Sequence, residues 1–220
     1  MKNFMLVANW KANLTVDQAS DWFTNISDSS LEIVVCPSFP VLGAIANLPV
    51  SGNISLGAQD VSVKTIGAFT GQVPAEIIQG LAKYSLVGHS ETRRLFGVTA
   101  EDIQLKVENL RGQNIHPIVC GNYSELTTER LGDYSDLVLA FEPEESISTN
   151  PGAQPLTGKV ASEKITKIKE ITGCQTVLYG GSVTVENIKD FFDAENIDGA
   201  LVGKASTDIN LFNQIINLCK

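Results

Sequence analysis

The chain has 220 residues, 43% of them hydrophobic, with a formal charge of −9 and a pI near 4.7. That length supports a sizeable buried core, organised as one large α/β domain or two small ones. The acidic balance argues against a nucleic-acid or anionic-membrane surface, and no apolar run approaches the eighteen or so residues that a membrane-spanning helix needs.

The N-terminus "MKNFMLVANW" passes directly into polar "KAN", a pattern unlike a secretory signal, so a cytoplasmic protein is expected. Cys36, Cys120, Cys174 and Cys219 are scattered, with no CxxC pair. Free thiols in a reducing compartment fit that spacing better than structural zinc.

Apolar runs of strand length recur at residues 4–11, 32–38, 54–61, 84–90, 116–121, 136–143, 176–182 and 197–203. They are continuous rather than alternating and rich in Val, Leu and Ile, as expected of parallel strands covered on both faces. Helical patterns separate them. Thr15 with Gln18 reads as a capping box before the first helix, and Thr99 and Thr184 read as N-caps further on. Ile103, Val107 and Leu110 form one apolar stripe, and Ile165, Ile168 and Ile171 a second. Val185, Ile188, Phe191 and Phe192 form a third, and Ile209, Phe212, Ile215 and Ile216 a fourth.

Eight strand–helix units without a linker predict an α/β fold: a single (β/α)8 barrel domain over residues 1–220. The rival is an open doubly wound sheet, which the absence of a GxGxxG turn after any strand disfavours. The chain is short against the roughly 250 residues usual for a barrel. The shortage is local to the interval between Gly121 and Asp136, which has room for one brief helix.

In such a barrel the C-terminal strand ends open onto one face. There the first run ends in "ANWKAN", the fourth in "GHSE", the sixth in "FEP", the seventh in "YGGS" and the eighth in "VGKAS". Singly, each has a bland reading as a solvated lysine, a structural histidine, a strand terminator or a tight turn. Together they gather an amide, an ammonium, an imidazole, two carboxylates and glycine-flexible backbone N–H groups at one mouth. The second histidine, His116 before Pro117, opens the fifth strand at the opposite end and is assigned no role.

Seven motifs in order, "ANWKAN", "GAQDV", "GAFTGQV", "LVGHSE", "AFEP", "LYGGSV" and "DGALVGKAS", make essentially the whole chain resemble the triosephosphate isomerase family, whose fold is the TIM barrel. The resemblance implies interconversion of dihydroxyacetone phosphate and D-glyceraldehyde 3-phosphate through an enediol(ate), in glycolysis and gluconeogenesis. Glu142 would move a proton between the two carbons, and His89 would polarise the carbonyl as a neutral imidazole. Lys11 would supply positive charge to the oxyanion and phosphate, Asn9 a neutral donor, and Glu91 would hold Lys11. Backbone groups of Ser148, Ser182, Gly203 and Lys204 would bind the phosphate. No metal or other cofactor is implied. The "GAFTGQV" loop would enter a neighbouring subunit, with Thr70 buttressing the partner's site, in a homodimer; a shortening similar to archaeal members leaves room for a tetramer.

The chain also departs from the family pattern. "PEESISTN" follows the sixth strand where an aromatic hinge and a glycine-rich tip are usual, putting Ser148 and Asn150 in place of glycines. Thr92 stands where arginine is usual, which removes a salt bridge at the subunit boundary and leaves Arg93 as the guanidinium; "GNYSE" lacks the glutamate that usually follows the glycine. Lys204 replaces a glycine of the phosphate cup, which keeps its amide and adds an ammonium that either helps bind phosphate or points outward. Two other readings compete: another phosphate-binding barrel enzyme, and a non-catalytic barrel that binds a phosphorylated metabolite. The first does not require "NxK", "GHSE" and "FEP" together; turnover of glyceraldehyde 3-phosphate separates the second.

Overall fold

The computed structural model describes residues 2–48, 53–146, 152 and 154–220. Among these residues eight strands are present: β1 Met5–Asn9, β2 Glu32–Cys36, β3 Ile54–Ala58, β4 Tyr84–Val87, β5 His116–Gly121, β6 Val138–Phe141, β7 Thr176–Tyr179 and β8 Gly199–Val202. They pair in parallel in chain order, and β8 returns to β1 from Met5↔Gly199 to Ala8↔Val202, closing the barrel. The expected (β/α)8 architecture is the observed one, and each predicted apolar run contains one strand.

The period of two along a strand explains the uninterrupted apolar runs. In β1, Met5 and Val7 face the barrel interior beside Val34 and Leu201, while Leu6 and Ala8 face the helix layer with Phe212. Both faces are dry. The predicted runs overshoot the strands at their C-terminal ends because the polar residues there leave the sheet; Lys11, Gly88 and Ser182 all turn into positive φ.

The helices are α1 Val16–Thr24, α2 Phe39–Ile45, α3 Ala75–Ile78, α4 Ser90–Phe96, α5 Ala100–Gly112, α6 Tyr123–Thr128, α7 Gly158–Thr172, α8 Ile188–Asp193 and α9 Ile209–Leu218. Capping boxes open α1 at Thr15 with Gln18, α5 at Thr99 with Asp102 and α6 at Asn122 with Glu125. The brief helix expected after β5 is the six-residue α6.

Three helix expectations need correction, the first being Val185, which lies in the turn ahead of α8 and not on its stripe. Ile171 is 57% exposed rather than part of the buried stripe of α7. Two successive steps of three from Ile165 rotate it about 120° away at 3.6 residues per turn, and Thr172 takes the inward position instead. Thr184 does not cap α8, whose N-cap is Asn187. It opens the turn before that helix, with its carbonyl accepting the Ile188 N–H and its own N–H bonded to Asn187 Oδ1.

Candidate active site

Strand parity aims the site. Asn9 continues the inward series of Met5 and Val7, Glu142 that of Val138 and Ala140, Gly180 that of Leu178 and Gly203 that of Leu201. All four line one cavity of about 330 Å³ at the C-terminal ends of the strands, together with Lys11, His89, Ser182 and Lys204.

Lys11 and His89 reach it by breaking the alternation. Lys11 follows Trp10, which is buried in the helix layer, and takes φ +52°. His89 follows Gly88 at φ +69°, where a Cβ would come within 2.7 Å of Ile103 Cδ1. Three contacts hold Lys11: its N–H donates to Asn9 Oδ1 (3.1 Å), its carbonyl accepts from Gln59 Nε2 (2.8 Å), and its ammonium meets Glu91 Oε1 at 2.8 Å. The Gln59 amide also donates to Cys36 O at 2.8 Å, joining the ends of β1, β2 and β3.

His89 is the N-cap of α4, and its Nδ1 accepts the Glu91 N–H at 3.2 Å. A nitrogen that accepts cannot carry a proton, so the imidazole is neutral with its hydrogen on Nε2. Nε2 lies 3.0 Å from Glu142 Oε1. The Glu142 carboxylate is only 3% exposed; Oε2 accepts the Ser90 N–H at 2.9 Å, and the Glu142 N–H donates to Gly121 O at 2.8 Å.

At the other end of the cavity, Ser182 has φ +51°; its hydroxyl donates to Ser146 O at 2.6 Å and its carbonyl accepts from Asn187 Nδ2 at 3.0 Å. Tyr179 Oη accepts the Leu156 N–H at 3.0 Å, and burial pushes its phenol above the ordinary range. A Cβ on Gly181 would come 2.5 Å from that Oη. A Cβ on Gly203 would lie 3.6 Å from Lys11 Cε, so the end of β8 abuts the lysine stem from β1.

Asn9, Lys11, His89, Glu142, Ser182, Gly203 and Lys204 thus converge, with Glu91 behind Lys11. Thr70 does not line the cavity; it sits in an exposed turn beside Phe69, whose ring has the Lys64 ammonium 5.6 Å away. Ser148 lies outside the described residues, as do Ile147, Thr149 and Asn150.

Three contributors were not singled out from the sequence. Gln59 was visible within "GAQDV", but a glutamine after a strand announces nothing about the carbonyls it will meet. Ser90 acts through its backbone N–H and leaves no side-chain signal. The third is the partner of Arg93, Glu129, with Nη2–Oε2 at 3.1 Å. Arg93 also donates to Gly88 O (2.6 Å) and Cys120 O (2.9 Å), tying β4 to β5. Burial disfavours its charge, but Glu129 and Glu125 more than offset that and hold its pKa above the ordinary value. Glu129 comes from the residue that follows α6. Asn122, where a glutamate usually follows Gly121, caps α6 and donates to Glu144 Oε1 at 2.7 Å.

The profile of the triosephosphate isomerase family matches residues 4–219. Among curated relatives, the triosephosphate isomerase of Wolbachia from Brugia malayi is 34% identical over 233 residues, covering 97% of each chain. That of Moorella thermoacetica is 33% identical over 249 residues, and that of Thermus thermophilus 30% over 248, each covering 99% of both chains. All three alignments are longer than this chain's 220 residues, so they open gaps within it. A match that starts just before β1 and ends just past α9 omits no element of the barrel, and this chain belongs to the triosephosphate isomerase family.

Proposed function

We propose that the chain interconverts dihydroxyacetone phosphate and D-glyceraldehyde 3-phosphate in the cytoplasm, as a step of glycolysis and gluconeogenesis. The observation that carries this reading is the facing of His89 Nε2 and Glu142 Oε1, 3.0 Å apart, in the cavity that also holds Lys11.

An ionised carboxylate can only accept, so Glu142 is the group to take the proton from carbon. As the C–H bond breaks, its electron pair forms the enediolate double bond and the carbonyl electrons move onto oxygen. His89, protonated at Nε2, supplies a hydrogen bond or proton to that oxygen. Neutrality is imposed by the N–H at the start of α4, and this family is itself a standard example of such an imidazole. Lys11 stabilises the oxyanion electrostatically, and Asn9 adds a neutral donor. The hydroxyl proton on the neighbouring carbon passes by way of His89 Nε2 to that oxygen, the double-bond electrons form a new carbonyl where the hydroxyl was, and the proton held by Glu142 returns to the adjacent carbon, which completes the isomerisation. The backbone around Ser182, Gly203 and Lys204 takes the phosphate, with Ser148 added from the family pattern.

The assembly proposed is a homodimer. Ile66, Phe69, Leu95 and Phe96 are exposed around the "GAFTGQV" loop and the end of α4, an apolar surface that a second copy would cover, with Thr70 reaching the partner's site. Among the described residues no helix is long and apolar enough to cross a membrane.

The test is turnover of glyceraldehyde 3-phosphate by the wild-type chain and by Glu142→Gln. Loss of a positioned general base lowers kcat by about 10²- to 10⁴-fold. A wild-type chain that binds phosphate without turnover would overturn the proposal in favour of a metabolite-binding barrel.

A further inference from the structure

The phosphate end of the cavity holds a charge that the chemistry above does not use. Among the described residues, five with ionisable side chains line the cavity: Lys11, His89, Glu142, Glu186 and Lys204. The Lys11 ammonium is committed to Glu91 at 2.8 Å, and Glu142 to the Ser90 N–H and Nε2 of His89. Glu186 is exposed at the mouth, its carboxyl held below the usual range by the Thr184 hydroxyl and therefore ionised at neutral pH. Lys204 is exposed beside Gly203, and its ammonium has no ion-pair partner among the described residues. Without it, the carboxylates of Glu91, Glu142 and Glu186 would face an incoming phosphate with Lys11 alone to oppose them. The chain's net charge of −9 adds to that repulsion, and a phosphate monoester brings about −1.5 to −2 of its own at neutral pH.

We propose that the Lys204 side chain, and not its backbone amide alone, captures the substrate's phosphate dianion. Its stem leaves the chain next to Gly203, whose absent Cβ would lie 3.6 Å from Lys11 Cε, so two lysines flank one glycine at the phosphate end. Where the family pattern has glycine, this chain adds a second cation to a lining whose other one, Lys11, is paired with Glu91. The inference rests on the isomerase reading for the identity of the substrate. The phosphate's charge does not change between substrate, transition state and product. Its attraction to Lys204 is therefore uniform binding, which acts on KM and on the encounter rather than on the chemical step.

The experiment compares wild type with Lys204→Met, which keeps the stem and removes the charge, and Lys204→Arg, which keeps the charge. Kinetics with glyceraldehyde 3-phosphate, and binding of inorganic phosphate by calorimetry, are measured at about 0.01 M and about 1 M salt, where the Debye length is about 30 Å and 3 Å. At low salt Lys204→Met is expected to lose about tenfold in kcat/KM, mainly through KM, and about tenfold in phosphate affinity, both shrinking to about twofold at high salt. Lys204→Arg stays within about twofold of wild type under both conditions. Unchanged phosphate affinity of Lys204→Met at low salt overturns the proposal. So does a loss that is equal at both salts and shared by Lys204→Arg, which marks a structural role. Because calorimetry needs no turnover, an inactive wild type with Lys204-dependent, salt-sensitive phosphate binding refutes the isomerase reading and supports this one.

Discussion

Replacing Gln59 by methionine tests how the strained lysine is held. Lys11 sits at φ +52°, and a non-glycine residue kept in that region costs about 1–3 kcal/mol. The strain is offset by Asn9 at its N–H, Gln59 at its carbonyl and Glu91 at its ammonium. Methionine preserves the length and most of the volume of glutamine while deleting both 2.8 Å bonds. Cys36 O retains the Trp10 N–H at 3.1 Å, whereas Lys11 O loses the donor it has from Gln59. At about 1 kcal/mol net per bond, stability should fall by about 2 kcal/mol. An anchor of that size is comparable with the strain it opposes, so Lys11 leaves its conformation in a substantial fraction of molecules. A loss of about 1.4 kcal/mol in transition-state stabilisation is tenfold in kcat/KM. Urea unfolding followed by circular dichroism reads the first quantity, and turnover of glyceraldehyde 3-phosphate the second. Stability within about 0.5 kcal/mol of wild type and kcat/KM within about twofold would refute the argument. Lost stability with unchanged kcat/KM would mean that Asn9 and Glu91 suffice to hold the lysine.

Gly88→Ala combines a left-handed backbone with a Cβ 2.7 Å from Ile103 Cδ1, so about 2–4 kcal/mol of stability should be lost in urea unfolding; a loss below about 0.5 kcal/mol would show that the turn adapts. Asp136 lies under a paired Arg111, at 2.8 Å from Nε, whose hydrogen bonds hold its carboxyl below the ordinary aspartate range. Its folded pKa is below the unfolded one, so the pair stabilises the fold above about pH 4, and that contribution disappears as pH falls through the lowered value. Both side chains are partly exposed, which limits the effect to about 1 kcal/mol or less. Arg111→Met should therefore lower the urea midpoint more at pH 7 than in acid, where only its bonds to the Leu131 and Asp133 carbonyls are still missed, and a difference that does not change with pH would contradict this assignment. Phe69→Asp should move the chain from dimer to monomer in sedimentation and lower activity at least about tenfold, because the face it charges is the one proposed to be covered; a dimer of full activity would place the interface elsewhere.

Much of the fold was legible because its signals are short-range. A strand buried on both faces carries an unbroken apolar run wherever it lies in the barrel, and Thr15, Thr99 and their capping partners sit within one helical turn. Lys11, His89 and Glu142 were legible for a related reason: each is a chemically distinctive side chain at the end of such a run, within a motif of the family. Ile171 misled because an apolar residue at helical spacing still depends on how far the helix has rotated by its last turn. Thr184 misled because a residue suited to capping can start a turn just ahead of the helix.

Residue type and periodicity along the chain predicted eight parallel strands with polar groups at their ends and favoured closure over an open sheet, and the resemblance to the family picked out Lys11, His89 and Glu142 among those groups. Which groups meet there was decided by closure itself. Lys11 and Glu91 are 80 positions apart, Ser90 and Glu142 are 52 apart, and Arg93 and Glu129 are 36 apart. Hydrogen bonds and ion pairs act over a few ångströms of space and are indifferent to separation along the chain. Only the ring of strands brings a glutamine amide onto Lys11, a backbone N–H onto Glu142 and a distant carboxylate onto Arg93.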